Sequence, residues 1–235
     1  LYVQLQIDHS ALQDHTEAAS SPAYTDRHIQ SSTFNIYGEL HDSLWHQGLN
    51  TWNLSATRGR VQFDNATALS VDQSASHTAG YFAKYNLAAQ RVETISVTTA
   101  LHLTMNMQHT ANNLDSSQKM DAGGPYSVRA YLAGIRSGDS GYFASMELRH
   151  ALGIACQSQW TATLFTDLAG LRTNPSTSAT TTSPTVIKGA GAGLMWSGPS
   201  LWSGSSFIAW PVSDYPSGVS SHKPARVYVT VQKGF

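Results

Sequence analysis

Arg129 lies in Val128-Arg129-Ala130-Tyr131, shortly after Gly123-Gly124-Pro125, within a segment running from Asn113 to His150. A connection of roughly 30 residues without its own periodicity is uncommon in a compact domain and is usually functional. The Gly-Gly-Pro triplet permits a sharp reversal, so the residues after it can fold back. If they fold into an interior, the guanidinium needs a carboxylate, because an unpaired buried charge costs several kcal/mol. Two carboxylates compete for that role. Asp167 shares the polar parity of Thr161, Thr163 and Phe165, and Glu147 shares the inward parity of the strand after the loop. Glu147 and Arg149 also offer a secondary ion pair. The other reading leaves Arg129 in water at a loop tip, and the residues alone leave both open.

Other chemistries find little support. The ten histidines are scattered with no His-x-x-x-His or Cys/His cluster, so no metal site is expected. Gly189-Ala190-Gly191-Ala192-Gly193 lacks the spacing and following helix of a nucleotide loop and suits the wall of a sheet. Asn53-Leu54-Ser55 and Asn65-Ala66-Thr67 are formal glycosylation acceptors. Cys156 is the only cysteine, so neither an internal disulfide nor a cysteine-based zinc cluster can form; its parity with Trp160 and Leu164 suggests a small outward hydrophobe. No Ser/His/Asp set can be argued to converge, so neither an enzyme nor a cofactor is expected. The formal net charge of −1 gives no basic stripe for nucleic acid.

The elements that must position these residues read as strands. Ile95, Val97, Leu101, Leu103, Met105 and Met107 alternate with polar residues over Thr94–Gln108, a ribbon apolar on one side and polar on the other. Phe34–His41, Trp52–Thr57, Gln159–Leu168 and Val227–Phe235 repeat the pattern. This gives about ten strands, near 1–10, 27–41, 49–62, 79–90, 93–110, 140–152, 156–170, 185–197, 201–213 and 224–235. Turn-rich segments such as Ser20–Thr25, Asn174–Pro184 and Ser213–Pro224 separate them, and helical periodicity is absent. No apolar run approaches the roughly 18 residues of a membrane helix. A β-sandwich or solenoid and a membrane barrel both fit. The barrel is favoured by three features: a neutral polar face, Trp45, Trp196, Trp202 and Trp210 near strand ends, and an aromatic last residue. Charged residues make up 12% of the chain, about half the roughly 25% of a soluble domain, which points the same way.

The run Asn113-Leu-Asp-Ser-Ser-Gln-Lys, then Gly-Gly-Pro-x-x-Val-Arg-Ala-Tyr131, then Ser137-Gly-Asp-x-Gly-Tyr and Glu147-Leu-Arg resembles the signature of two-partner secretion transporters, the hemolysin secretion/activation proteins of ShlB/FhaC/HecB type. The match is close over Asn113–His150 and looser from about Asp26 to Phe235. The resemblance implies an all-β fold, an antiparallel outer-membrane β-barrel of about 16 strands, of which this chain would supply the C-terminal part over residues 1–235. It implies that the loop enters the barrel, with its Arg, here Arg129, paired to the Asp of a Phe-x-Asp-x-Gly motif on the next strand but one. That Asp falls on Asp167, after Phe165, with Ala169 where the family has Gly. Phe235 corresponds to the C-terminal aromatic read by the barrel assembly machinery. The family's POTRA domains and plug helix cannot be fitted into Leu1–Ser32, and about five strands precede the loop where the family has about eleven.

The function implied is an outer-membrane translocation pore that secretes and activates a partner exoprotein, such as a hemolysin or adhesin. Lipid bilayer and assembly machinery are its other partners, and no nucleotide is used. A truncated, non-transporting remnant or passive porin-like fragment is the alternative, and a soluble β-rich binding module a third.

Overall fold

The computed structural model describes residues 1–16, 23–173, 185–213 and 225–234. Phe235 lies outside them, as do all of Asn174–Pro184, all of Ser213–Pro224 but Ser213, and part of Ser20–Thr25. The strands are β1 (Tyr2–Thr16), β2 (Ala23–Asp42), β3 (Gln47–Phe63), β4 (Gly80–Thr94) and β5 (Thr99–His109), followed by short β6 (Met120–Ala122) and β7 (Arg136–Gly138). After them come β8 (Ser140–Ala155), β9 (Ser158–Arg172), β10 (Thr185–Ser197), β11 (Trp202–Pro211) and β12 (Arg226–Lys233). Ten of these form one sheet in the order β1-β2-β3-β4-β5-β8-β9-β10-β11-β12, and β6 and β7 pair separately. Every long strand is antiparallel to its chain neighbour. Within the described residues β1 and β12 are the two edges, so the sheet is an unclosed arc of barrel wall.

The register aligns one inward row at every level. Thr51 faces Gln90, Gln90 faces Thr104, Thr104 faces Ser145 and Ser145 faces Asp167. The row on this face is mostly neutral and polar. The opposite parity carries Leu54, Met105, Met146, Leu148 and Leu164, all exposed. An apolar face turned outward with polar residues inside inverts a soluble sheet, and it suits a wall between lipid and a wet lumen. Turns at one end are short: 43–46, 95–98, 156–157 and 198–201. The opposite end carries the 64–79 and 110–139 connections. In outer-membrane barrels short turns face the periplasm and long loops the exterior.

Two expectations are corrected, and one element was not foreseen. A helix forms without helical periodicity: α1 (Ala66–Ser74) occupies the β3–β4 connection. Asn65 caps it, accepting from the Ala68 amide at 2.6 Å, which satisfies one of the first-turn amides. Its apolar residues, Ala66, Ala68, Leu69 and Val71, are spread around the helix and give no periodicity signal, so only the cap could have marked it. The ribbon over Thr94–Gln108 is broken at 95–98 by a turn closed through Ser96 and Thr99, and Val97 stands fully in solvent. Alternation continued through the turn because its apolar residues happen to keep parity. Cys156 is not on a strand face but in the two-residue β8–β9 turn, with φ of 51° beside Gln157 at 59°. Such left-handed pairs match the strand twist in tight hairpins.

Candidate functional site

The 110–139 connection folds back along the inward face. Gly123 and Gly124 take φ of 91° and 88°, a region that only glycine occupies without strain. A Cβ on Gly123 would lie 2.1 Å from the Leu132 carbonyl oxygen. The Gly124 amide donates to the Tyr131 carbonyl at 2.9 Å, closing a tight lobe over 124–131. The β6–β7 pair holds its stem.

Val128, Ala130 and Tyr131 are fully buried, packed with Phe143, Phe165, Ala169 and Ile187 in one cluster. Ala130 sits against Gly189, where a Cβ would come within 2.7 Å of the alanine methyl. The Tyr131 hydroxyl reaches the Ser213 hydroxyl at 2.9 Å, and the Tyr228 hydroxyl donates to the Tyr131 carbonyl at 3.2 Å. The lobe thus touches β8, β9, β10 and β12.

Arg129 lies at the centre. Its Nη2 and Nε donate to the two oxygens of Asp167 at 2.7 and 2.9 Å, and its own amide reaches Asp167 Oδ2 at 3.1 Å. Nη1 donates to Glu147 Oε1 at 2.5 Å and Nη2 also to Ser145 Oγ at 3.1 Å. The two carboxylates that compete in the sequence both hold the arginine. Asp167 is 1% exposed and takes the forked contact, whose geometry an ammonium cannot reproduce. Glu147 Oε2 accepts from Arg149 at 2.6 Å, so Arg129, Glu147 and Arg149 form one chain of charges. Phe165 lies flat under the guanidinium, 3.4 Å from Cζ to the ring centroid, with Phe207 edge-on to Phe165 at 6.1 Å. Ring face and carboxylates together replace the water the cation gives up.

A second contact was not among the expectations from the sequence. Asp115, at the start of the loop, accepts from Arg27 Nε of β2 at 2.5 Å. Arg27 also donates to Asp14 at 2.5 Å and Ser116 at 3.3 Å. Beside it Leu114 is fully buried against Ile29, Val61 and Phe82. Burial pushes the Asp115 carboxyl up, but Arg27 and the Ser117 amide and hydroxyl outweigh it and hold it below its ordinary value. Asp139 closes the loop's other end, accepting from the Leu114 amide at 2.9 Å. Only the inward parity of Arg27, shared with Ile29, could have flagged it.

The arrangement is a loop clamped against one wall, with its cation matched by fixed carboxylates.

The family model for the haemolysin secretion/activation protein ShlB/FhaC/HecB matches residues 26–196. The heme/hemopexin transporter protein HuxB of Haemophilus influenzae strain 86-028NP is 24% identical over 226 residues, covering 95% of this chain and 39% of its own length. HuxB of strain ATCC 51907 is 27% identical over 167 residues, covering 71% of this chain and 29% of its own length. The chain therefore spans well under half of these relatives. Among solved structures, CdiB from Escherichia coli superposes with a TM-score of 0.61 at 15% identity, covering 97% of this chain and 49% of that one. CdiB from Acinetobacter baumannii gives 0.50 at 14% identity, over 98% of this chain and 47% of that one. At that identity the likeness speaks to the fold alone, and it is the same antiparallel wall. The inverted sheet, the inserted loop and the family match agree: the chain is an outer-membrane β-barrel segment that belongs to the haemolysin secretion/activation family ShlB/FhaC/HecB.

Proposed function

We propose that the protein bearing this chain is the translocation pore of a two-partner secretion system, moving an unfolded exoprotein of hemolysin or adhesin type across the outer membrane. The observation that carries this reading is the Arg129 clamp, in which a loop that could lie in water is instead bound into the lumen by Asp167 and Glu147. The neutral inward rows, such as Thr51, Gln90 and Thr104, give an extended chain few sticky contacts. Residues 1–235 contribute part of the wall of that barrel.

In this reading Arg129 anchors the loop and Val128, Ala130 and Tyr131 seat it, while Phe165 and Asp167 form the receiving surface. The test is secretion in cells carrying the whole transporter and its partner. Arg129→Ala is expected to lower the external exoprotein at least about tenfold, with the barrel still heat-modifiable and present at normal level. The expectation follows from removing a buried charge-assisted fork. Secretion at the unaltered rate from Arg129→Ala would sink the role.

A further inference from the structure

The outward face carries a feature that the loop clamp does not use. On β1 to β4 this face is apolar through Val3, Leu5, Ile7, Phe34, Leu40, Leu54 and Tyr85, all exposed. Toward the end with the long connections the belt stops at a row of different chemistry: His9 on β1, Gln30 on β2, Arg58 and Arg60 on β3 and Tyr81 on β4. The inward neighbours Thr57, Gly59 and Val61 are buried, so the two arginines point away from the lumen. Gly59 faces Phe82 and Ser31 in the register, which places the group on one level of the wall. The surface there is dished, with a hollow of about 510 Å³ lined by Ile7, Asp8, His9, Gln30, Arg58, Arg60 and Tyr81 among others.

The two arginines are electrostatically uncompensated. Among the described residues neither has a carboxylate partner; both guanidinium groups lie over the Tyr81 ring, at 5.9 and 5.2 Å from its centroid. The nearby acids are engaged elsewhere. Asp64 is paired with His28 at 2.8 Å, and Asp8 lies on the inward face, accepting from Gln6 at 2.9 Å. Residues two apart on a strand sit about 7 Å from each other on one face. Two forks at that spacing, stiffened by one ring, can bracket a phosphate or grip neighbouring anionic oxygens.

Height on the wall decides the ligand. The long connections mark the external side, so Arg58 and Arg60 stand at the top of the apolar belt, where the outer leaflet's head groups lie. A charge facing lipid is costly within the hydrocarbon and is tolerated near the interface. Uncompensated arginines at that border match an anion supplied by the membrane itself. We propose that Arg58, Arg60 and Tyr81 form a site for a phosphate of lipid A, the phosphorylated glycolipid of the outer leaflet, with its acyl chains running down over Ile7, Phe34 and Leu54. His9 and Gln30 donate to its sugar hydroxyls.

The test titrates the purified full-length transporter, in non-ionic detergent, with bisphosphorylated lipid A, reading bound lipid by native mass spectrometry. R58Q/R60Q is expected to weaken lipid A binding by about tenfold or more, with R58K/R60K in between. Lipid A stripped of both phosphates should bind the unaltered protein no better than intact lipid A binds R58Q/R60Q. Equal binding of intact and stripped lipid A, or unaltered affinity in R58Q/R60Q, overturns the site. So does displacement of lipid A by millimolar inorganic phosphate alone, which would reveal a generic anion site. Heat-modifiability reports folding. If R58Q/R60Q does not fold, R60Q takes its place, with the same expected direction and the same overturning result. Secretion is not the readout, so this result and the fate of the translocation reading are separable.

Discussion

At the scale of single residues the clamp is an asymmetric pair of carboxylates around one cation. Asp167 takes three of the hydrogen bonds from Arg129, including its backbone amide, while Glu147 takes one and shares its other oxygen with Arg149. Replacing the carboxylates one at a time should therefore have unequal effects. Asp167→Ala leaves a buried guanidinium with one carboxylate, Glu147, beside the Ser145 hydroxyl, and breaking such a pair typically costs about 3–5 kcal/mol. Glu147→Gln keeps a hydrogen-bond acceptor beside Arg129 and retains the fork to Asp167. Hydrogen exchange over residues 124–131 in the intact protein is the measurement. Protection should collapse in Asp167→Ala and fall only modestly in Glu147→Gln; equal losses would show that the forked geometry is not what holds the lobe. Parity in the sequence placed both carboxylates on the inward face. Parity alone could not choose between them, because the choice depends on how far the lobe descends along β9; it was the family resemblance that implied Asp167.

At the scale of elements, the loop can seat only because β10 is thin where it passes. Gly189, Gly191 and Gly193 alternate on the inward face of β10, and at Gly189 the added carbon of any other residue would press on Ala130. Glycine in a strand interior weakens the strand and marks close approach of another backbone, and here the approaching backbone is the loop. Gly189→Val should leave the strand ladder intact, since valine favours strands, yet push the lobe off its wall. The expected result is a folded, heat-modifiable barrel in which a protease added from outside cleaves within 123–135, where the unaltered protein resists. Resistance equal to that of the unaltered protein would mean the lobe shifts to accommodate the side chain. The strands themselves were legible in the sequence because alternation is a local signal. The Gly-Ala-Gly run was legible as wall but not as seat, since a seat is defined by a partner some sixty residues earlier. Helix α1 and the turn at 95–98 were missed for the opposite reason: each is short, and its apolar residues carry no contradictory period.

Across the whole molecule the loop is held at two distant places, and this changes what releasing it requires. Its tip is clamped to β8 and β9 through Arg129, while its start is tied to β2 through Asp115 and Arg27, three strands to the other side of β5. The loop thus straps separate parts of the wall together, and its two ties differ in chemistry. The Asp115 carboxyl is held below its ordinary value by Arg27 and Ser117 against the opposing effect of burial. A depressed carboxylate contributes stability that is complete above its free value, about 3.9, and is lost as pH falls through the lower bound value. The tie on β2 should therefore be intact at neutral pH and fade from about pH 4 downward. Exchange at the Ser117 amide, which donates to Asp115 Oδ1 at 3.0 Å, reports the tie directly once corrected for the intrinsic pH dependence. In the unaltered protein its protection should fall on acidification; in Arg27→Gln it should already be reduced at neutral pH. Arg27→Gln with full protection at neutral pH would show that Leu114 packing alone holds the loop's start. If the tie behaves as expected, Arg27→Gln combined with Arg129→Ala should free the loop where either alone leaves one end fastened.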